Sequence, residues 1–405
     1  MTAAPALLRA PASIRLGSGA VRTLGATVRS LAGEGKVLVC TDSFLASASQ
    51  GAAVEASLRA AGLDYELLDS AQPELPLAGV EDAIAAARSI APDVVVGLGG
   101  GSCIDVAKLV SLGLAHDAPL AEHYGENAVP GPSLPVVAVP TTGGTGSEVT
   151  PVAVLTDPGR ELKVGISSPW LIPRAAICDP DLCFGAPRSV TAYAGIDALA
   201  HAIEAYTAVG RSSWEEMGER VFVGSGQLTD GFALRAIGQI SDSFLDALED
   251  RSSGRAGMLS GSLLAGLAFG TAGTAAAHAL QYPLGAASKT PHGLGVGLLL
   301  PFVMRFNAPA AEEKLRHVGE ALGVGSDPEA ASAKVREIGL AAGLPGSLRE
   351  IGVDRGDLPR MAAQAVGITR LIDNNPRPVG PVDAEALLEA AWAGDLDRIE
   401  MKAAC

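Results

Sequence analysis

The sequence predicts an α/β domain built on a parallel sheet over residues 1–188, followed by an all-α domain over residues 189–405. Two observations carry this. From residue 12 to about residue 188, short β-branched runs alternate with Ala-rich stretches of helical character, the pattern of a parallel sheet covered by helices. After Pro187 the β-branched runs stop, and long stretches rich in Ala, Gly and Leu take their place. At 405 residues the chain is also longer than one ordinary core requires.

In order along the chain, Lys36 to Thr41 reads as a strand, 50–61 as a helix, 64–68 as a strand, 79–90 as a helix, Asp93 to Leu98 as a strand and 103–114 as a helix. Val136 to Val139, bounded by Pro135 and Pro140, continues the series as a buried strand. In the second half, helices are expected over Ala192 to Thr207, Ala233 to Leu248, Arg255 to Leu280 and Gly293 to Phe306, with amphipathic helices onward to the end. The segment Gly210 to Gly226, which carries Arg211, Glu215, Glu216, Glu219 and Arg220, reads as an irregular exposed insertion. Leu263 to Leu280 is the longest apolar region. Gly266, Gly270, Thr271, Gly273, Thr274 and His278 interrupt it and no anchoring residues flank it, so it reads as a buried helix rather than a membrane span.

Composition narrows the function classes. Hydrophobic residues make up 48% of the chain and charged residues 19%, which excludes disorder over most of its length. Only 4% are aromatic, so Ala, Val and Leu must build the core, and 49 glycines permit close backbone contacts. A net charge of −15 with no compensating Lys/Arg cluster repels a phosphate backbone, so no nucleic-acid partner is expected. Met1 to Pro11 has one Arg and no apolar run of signal-peptide length. The five cysteines, Cys40, Cys103, Cys178, Cys183 and Cys405, form no C-x-x-C pair. A reduced, cytoplasmic protein with no membrane partner is expected, and Cys178 with Cys183 alone would make a poor metal site.

Two glycine-bearing loops follow strands. Val94 to Lys108 runs strand, glycine turn Gly99-Gly100-Gly101-Ser102, then helix start, an arrangement that lets backbone N–H groups meet phosphate oxygens. It is neither G-x-G-x-x-G nor a P-loop. Pro140-Thr141-Thr142-Gly143-Gly144-Thr145-Gly146-Ser147-Glu148-Val149-Thr150 follows the next buried strand, so its hydroxyls and glycines belong to the same end of the sheet. Together the loops point to one extended ligand, a pyrophosphate among its parts. Asp42 ends the strand Lys36 to Thr41, where it either accepts from an adenine-ribose diol and repels a 2′-phosphate, or caps the next helix.

The strongest chemical signal is the placement of histidine. Asp197 and His201 stand at i and i+4, hence on one helix face, among Ala, Ile and Leu. His278 and His292 lie in similarly apolar helical sequence. Buried, these groups cost free energy unless satisfied. One carboxylate and three imidazoles satisfy one another through a divalent cation, Fe2+ or Zn2+ by donor type; the alternative is a set of separately satisfied core histidines and a capping Asp.

Taken together, these motifs resemble the iron-containing alcohol dehydrogenase family over nearly the whole chain, from Ile14-Arg15-Leu16-Gly17-Ser18-Gly19 through Asn375-Pro376-Arg377. The family's glycine loop matches Gly99, Gly100, Gly101 and Ser102 with Asp105 and Lys108, its threonine loop matches Pro140 to Thr150, and Asp179-Pro180-Asp181-Leu182 matches the motif before its metal helix. The resemblance implies an α/β dinucleotide-binding domain with a parallel sheet followed by an all-α metal-binding domain. It places the metal on Asp197, His201, His278 and His292 and the dinucleotide beside Thr141, Thr142, Thr145, Lys163 and Leu182, with Asp42 favouring NAD over NADP. It implies a homodimeric NAD-dependent oxidoreductase, with Fe2+ as metal (Zn2+ or another divalent ion as alternatives), that interconverts a small alcohol and its aldehyde or ketone by hydride transfer.

Three departures bear on this. Tyr282 stands where many members carry a second histidine four residues after the third ligand, so Tyr282, a ribose hydroxyl or water is left to exchange the proton. Pro73-Glu74-Leu75-Pro76 lacks a common Asn, and Gly144 replaces a frequent Ala. Tyr282, Val152, Phe269 and Lys289 are expected to border the substrate, and a cation such as Lys289 would admit an aldehyde bearing a carboxylate, phosphonate or sulfonate unless it is a surface lysine. A relative of dehydroquinate synthase or glycerol dehydrogenase is the alternative, weakened because those generally show three protein ligands.

Overall fold

The structure, a computed structural model, describes residues 4–399. The chain forms two compact units. One comprises Arg9–Ala186 with Glu219–Val221; the other comprises Pro187–Gly218, the residues from Phe222 onward, and residues 4–8.

The first unit holds strands β1 (Ser13–Leu16), β2 (Val37–Cys40), β3 (Tyr65–Leu68), β4 (Val94–Gly99), β5 (Gly125–Glu126), β6 (Val136–Pro140), β7 (Val152–Leu155), β8 (Val164–Ser167) and β9 (Ala175–Cys178). Six of them form one sheet in the order β1-β9-β6-β4-β2-β3, parallel throughout. The period of two explains the burial. Val37 and Val39 join Leu24 and Leu58 on one face, while Leu38 and Cys40 join Val80 and Leu109 on the other. From β2 the chain steps outward to β3, and from β4 it steps the opposite way to β6 and β9. Strand order therefore reverses between β2 and β4, and a crevice at the carboxyl ends of such neighbours is where α/β sheets bind ligands. Asp42 follows β2 and Gly100 follows β4.

A second sheet, ordered β5-β8-β7, was not foreseen; its β7–β8 pair is antiparallel. β5 has two residues and β8 carries Gly165, so neither shows a continuous apolar run; β7, Val152-Ala153-Val154-Leu155, is apolar throughout but only four residues long.

The second unit is helical among the described residues. Helices Arg188–Thr207, Gln227–Leu248, Ser252–Ala272, Ala276–Ser288 and His292–Asn307 pack around Ile196, Leu199, Ile203, Ile237, Phe244, Leu299 and Phe302. Small residues set the spacing. A Cβ on Gly293 would lie 2.1 Å from the Tyr193 carbonyl oxygen, so only glycine lets the helix that begins at His292 come this close to the one carrying Asp197.

Two expectations are corrected here. The stretch Arg255 to Leu280 is two helices, Ser252–Ala272 and Ala276–Ser288, bent by 99° at the break. Gly273, at φ +83°, ends the first, and Asn374 Nδ2 donates to the carbonyls of Ala272 and Thr274 at 3.0 and 3.1 Å. Among the described residues no single helix is long and apolar enough to cross a membrane. The segment from Gly210 to Gly226 is not exposed throughout: Val221 to Ser225 is buried, with the Val223 and Gly224 amides donating to Thr271 and Ala272.

Candidate functional site

In the helical unit, Asp197 and His201 stand one turn apart on Arg188–Thr207, His278 lies in the first turn of Ala276–Ser288, and His292 opens His292–Asn307. Three imidazole nitrogens converge on one carboxylate oxygen. From Asp197 Oδ1, His278 Nε2 is 3.6 Å away, His292 Nε2 3.8 Å and His201 Nε2 3.9 Å. These gaps are too long for hydrogen bonds. Asp197, His278 and His292 each offer a donor atom within 4.8 Å of the others, and His201 joins this trio through Asp197. Asp197 Oδ1 and His278 Nε2 are buried without a hydrogen-bond partner. Orphaned buried acceptors facing one another are costly, and a cation between them removes the cost.

Burial by itself would raise the Asp197 carboxyl, but the imidazoles of His201, His292 and His278 outweigh it and hold it well below the usual carboxylate range. Burial pushes His201 down to about 4, which keeps that ring neutral. For His278 burial is opposed by the Glu204 carboxylate and by Asp197, and the ring is raised to about 9. A divalent cation competes for the proton that His278 holds at Nε2; once that proton leaves, an anionic oxygen beside imidazole nitrogens is a donor set for the cation.

Two side chains behind the cluster, Glu204 and Gln281, escaped the sequence reading. Glu204 Oε2 accepts from His278 Nδ1 at 2.5 Å, and Gln281 Oε1 accepts from His292 Nδ1 at 2.8 Å. The His201 ring stacks on Phe269 with centroids 4.0 Å apart. One signal was present: Asp197, His201 and Glu204 occupy i, i+4 and i+7, a polar stripe in a run from Ala192 to Ala205 otherwise made of Ala, Gly, Ile, Leu and Tyr. His292, a third of its side chain exposed, forms the open edge of the cluster, and Tyr282 meets its ring edge-on at 6.3 Å. Lys289 is exposed at the end of Ala276–Ser288 in left-handed conformation.

In the α/β unit the two loops are neighbours. The Thr141 amide donates to the Gly99 carbonyl at 3.0 Å, and a Cβ on Gly101 would lie 2.8 Å from Thr145 Cγ2. Gly101 opens the helix Gly101–Ala115, with Ser102 behind it, so free N–H groups point out of the turn next to Thr142 and Thr145. Asp105 serves the loop itself: it accepts from Ser147 Oγ and from the Val154 amide. Lys108, wholly buried, bonds Ser147 Oγ at 2.9 Å and the carbonyls of Thr150 and Val152 at 3.0 and 2.9 Å. Asp42 caps the short helix Ser43–Ser47, its Oδ1 accepting from the Leu45 amide at 2.8 Å, while Oδ2 takes the Cys103 thiol at 3.6 Å. Lys163 pairs with Glu74. Leu182 is buried, its carbonyl accepting from Gln50, and Asp179 binds the amides of Gly19, Val21 and Asp181. Among the described residues Cys40, Cys103, Cys178 and Cys183 are buried and form no disulfide, with burial pushing the Cys178 thiol well up; Cys405 lies outside the described residues.

The family described as iron-containing alcohol dehydrogenase matches residues 11–180, and its C-terminal domain matches residues 191–392. Long-chain-alcohol dehydrogenase 1 of Geobacillus thermodenitrificans is 35% identical over 398 residues, which cover 95% of this chain and 96% of that one. Sulfoacetaldehyde reductase of Bilophila wadsworthia is 32% identical over 390 residues, 92% and 96% of the two chains. The crystal structure of a 1,3-propanediol oxidoreductase, 31% identical, superposes with a TM-score of 0.88 over 95% of this chain and 99% of that one. With both halves matched and relatives above 30% identity along nearly its full length, the chain belongs to the iron-containing alcohol dehydrogenase family and is an oxidoreductase of alcohols and their carbonyl partners.

Proposed function

We propose that the chain holds one divalent cation, iron in the first instance, on Asp197, His201, His278 and His292, and uses NAD(H) to interconvert a short alcohol and its aldehyde or ketone. The observation that carries this is the convergence of three imidazole nitrogens on Asp197 Oδ1 at 3.6–3.9 Å, with buried lone pairs left unsatisfied. When bound, the cation supplies Lewis acidity to the substrate oxygen and the nicotinamide accepts or gives the hydride. The Gly99–Ser102 turn and Thr141, Thr142 and Thr145 bind and orient the dinucleotide through N–H and hydroxyl groups, while Asp105 and Lys108 keep the threonine loop in shape. Lys163 and Leu182 flank the cofactor, and Asp42 selects the unphosphorylated ribose. Tyr282, at the open edge beside His292, holds or releases the proton at its phenolic oxygen. Buried cysteines without disulfides fit a reducing, cytoplasmic setting.

The relatives' names span long-chain alcohols, sulfoacetaldehyde, 1,3-propanediol and lactaldehyde, so substrate choice belongs to the pocket lining. The test is NADH consumption at the reduced-nicotinamide absorbance with a panel of short neutral and anionic aldehydes, and the reverse reaction with the matching alcohols. Turnover of at least one short neutral pair is expected. Turnover of anionic aldehydes alone would favour the carboxylate, phosphonate or sulfonate class, and no turnover of any pair by metal-replete protein would refute the reading.

A further inference from the structure

A buried carboxylate outside the four candidate ligands stands behind His278. Glu204 is 2% exposed. Its Oε2 accepts from His278 Nδ1 at 2.5 Å and from the Ala275 amide at 2.9 Å, and its Oε1 accepts from the Ala277 amide at 2.6 Å. The two amides belong to the start of Ala276–Ser288, just past the 99° break, where a helix leaves N–H groups unpaired and favours negative charge. One carboxylate therefore holds both the helix start and the ring that the helix carries.

An ionised carboxylate only accepts, so the His278 proton sits on Nδ1, and in the neutral ring the Nε2 lone pair faces Asp197 Oδ1 at 3.6 Å. The other two rings are held by weaker means. His292 meets the neutral Gln281 amide, whose side chain is hemmed in: a Cβ on Gly285 would lie 2.8 Å from its Nε2 and one on Gly295 2.9 Å from its Cγ. The Nδ1 of His201 has no partner, and that ring is held by stacking on Phe269.

We infer that Glu204 is the positioning residue of the cluster: it fixes the tautomer and orientation of His278 for a cation shared with Asp197 and His292, and it ties cation affinity to the bend between the two helices. The inference rests on the metal reading above. Carboxylates behind metal-ligating histidines orient the ring and raise its basicity, and losing one weakens metal affinity 10- to 100-fold.

The test compares metal-free wild type, Glu204→Gln and His278→Ala, each titrated with zinc against a chelator and each loaded with cobalt(II) for visible absorption, with circular dichroism reporting the fold. The glutamine keeps the volume and one acceptor but sets an NH2 against at least one of the three donors. Glu204→Gln is expected to stay folded, bind zinc about 10- to 100-fold more weakly and shift the cobalt bands, while His278→Ala loses the site. A role confined to capping the helix would lower the unfolding temperature and leave zinc affinity and cobalt bands unmoved; that result, with His278→Ala still losing metal, overturns the inference and leaves the metal reading standing. Retention of metal by His278→Ala overturns both. Should Glu204→Gln fail to fold, nitrogen-15 labelling of the six histidines in zinc-loaded wild type decides the matter. A strongly deshielded, slowly exchanging Nδ1 proton is expected, and its absence overturns the inference.

Discussion

Asp42 carries two loads on one side chain. Its Oδ1 accepts from the Leu45 amide and its Oδ2 from the Cys103 thiol, yet each oxygen keeps a further lone pair, so capping Ser43–Ser47 does not exclude binding a ribose diol. On the proposed cofactor placement, the cap holds the carboxylate beside the ribose, where a 2′-phosphate would meet like charge. A preference for NAD(H) over NADP(H) follows. Asp42→Gly is expected to raise kcat/KM with NADPH and lower it with NADH, each by about 1–3 kcal/mol, roughly 5- to 150-fold. Steady-state kinetics with both cofactors check this, and a wild type that already favours NADPH would leave Asp42 as a cap alone. Read from sequence, Asp42 permitted both roles because a strand-ending Asp is placed identically in each. The Leu45 amide is a local cap three residues on, whereas Cys103 becomes a partner only once the strand and the helix of the glycine turn lie side by side.

At the scale of elements, the threonine loop is held from beneath by charge taken out of water. Burial pulls Lys108 down and pushes Asp105 up, and their mutual pairing at 3.7 Å opposes both shifts. Glu148, in the turn Ser147–Val149, is pushed up to about 7 by burial, and its Oε1 has no hydrogen-bond partner. The ordinary value is 4.5, so between 4.5 and about 7 the folded chain keeps a proton that the unfolded chain has released. Stability therefore falls as pH rises through that window, by at most about 1.4 kcal/mol per pH unit from this group, and levels off above it. Glu148→Gln is expected to remove that slope. Denaturant midpoints of wild type and variant on either side of the window test it, and parallel pH profiles would count against it. The sequence marked this loop by its hydroxyls and glycines, but not that Glu148, Lys108 and Asp105 lie under it; a charged residue in a polar loop reads as solvated until the fold buries it. The helix break at Gly273 was missed for a related reason, since Ala-rich sequence on both sides carries helical periodicity straight through and the partners that end it, Asn374 and Glu204, lie far away in the chain.

For the whole molecule, the fold class was legible because its two halves obey different periods: strand-and-helix alternation up to Pro187, helical sequence beyond it. The small sheet of β5, β8 and β7 was not, because strands of two to four residues are too short for a period to show, even where β7 is apolar throughout. The four residues of the cluster were legible by type and by the i, i+4 spacing of Asp197 and His201, whereas the close approach that brings His292 to Asp197 depends on Gly293, one glycine among 49. The proposed function requires those four residues to act as one cation site. The most direct measurement is metal content per chain in purified wild type and His278→Ala, taken alongside NADH-linked turnover and circular dichroism. About one divalent ion per wild-type chain is expected, with metal and turnover lost together in a folded variant; a His278→Ala protein that retained its full complement of metal would show that the four residues do not form one cation site.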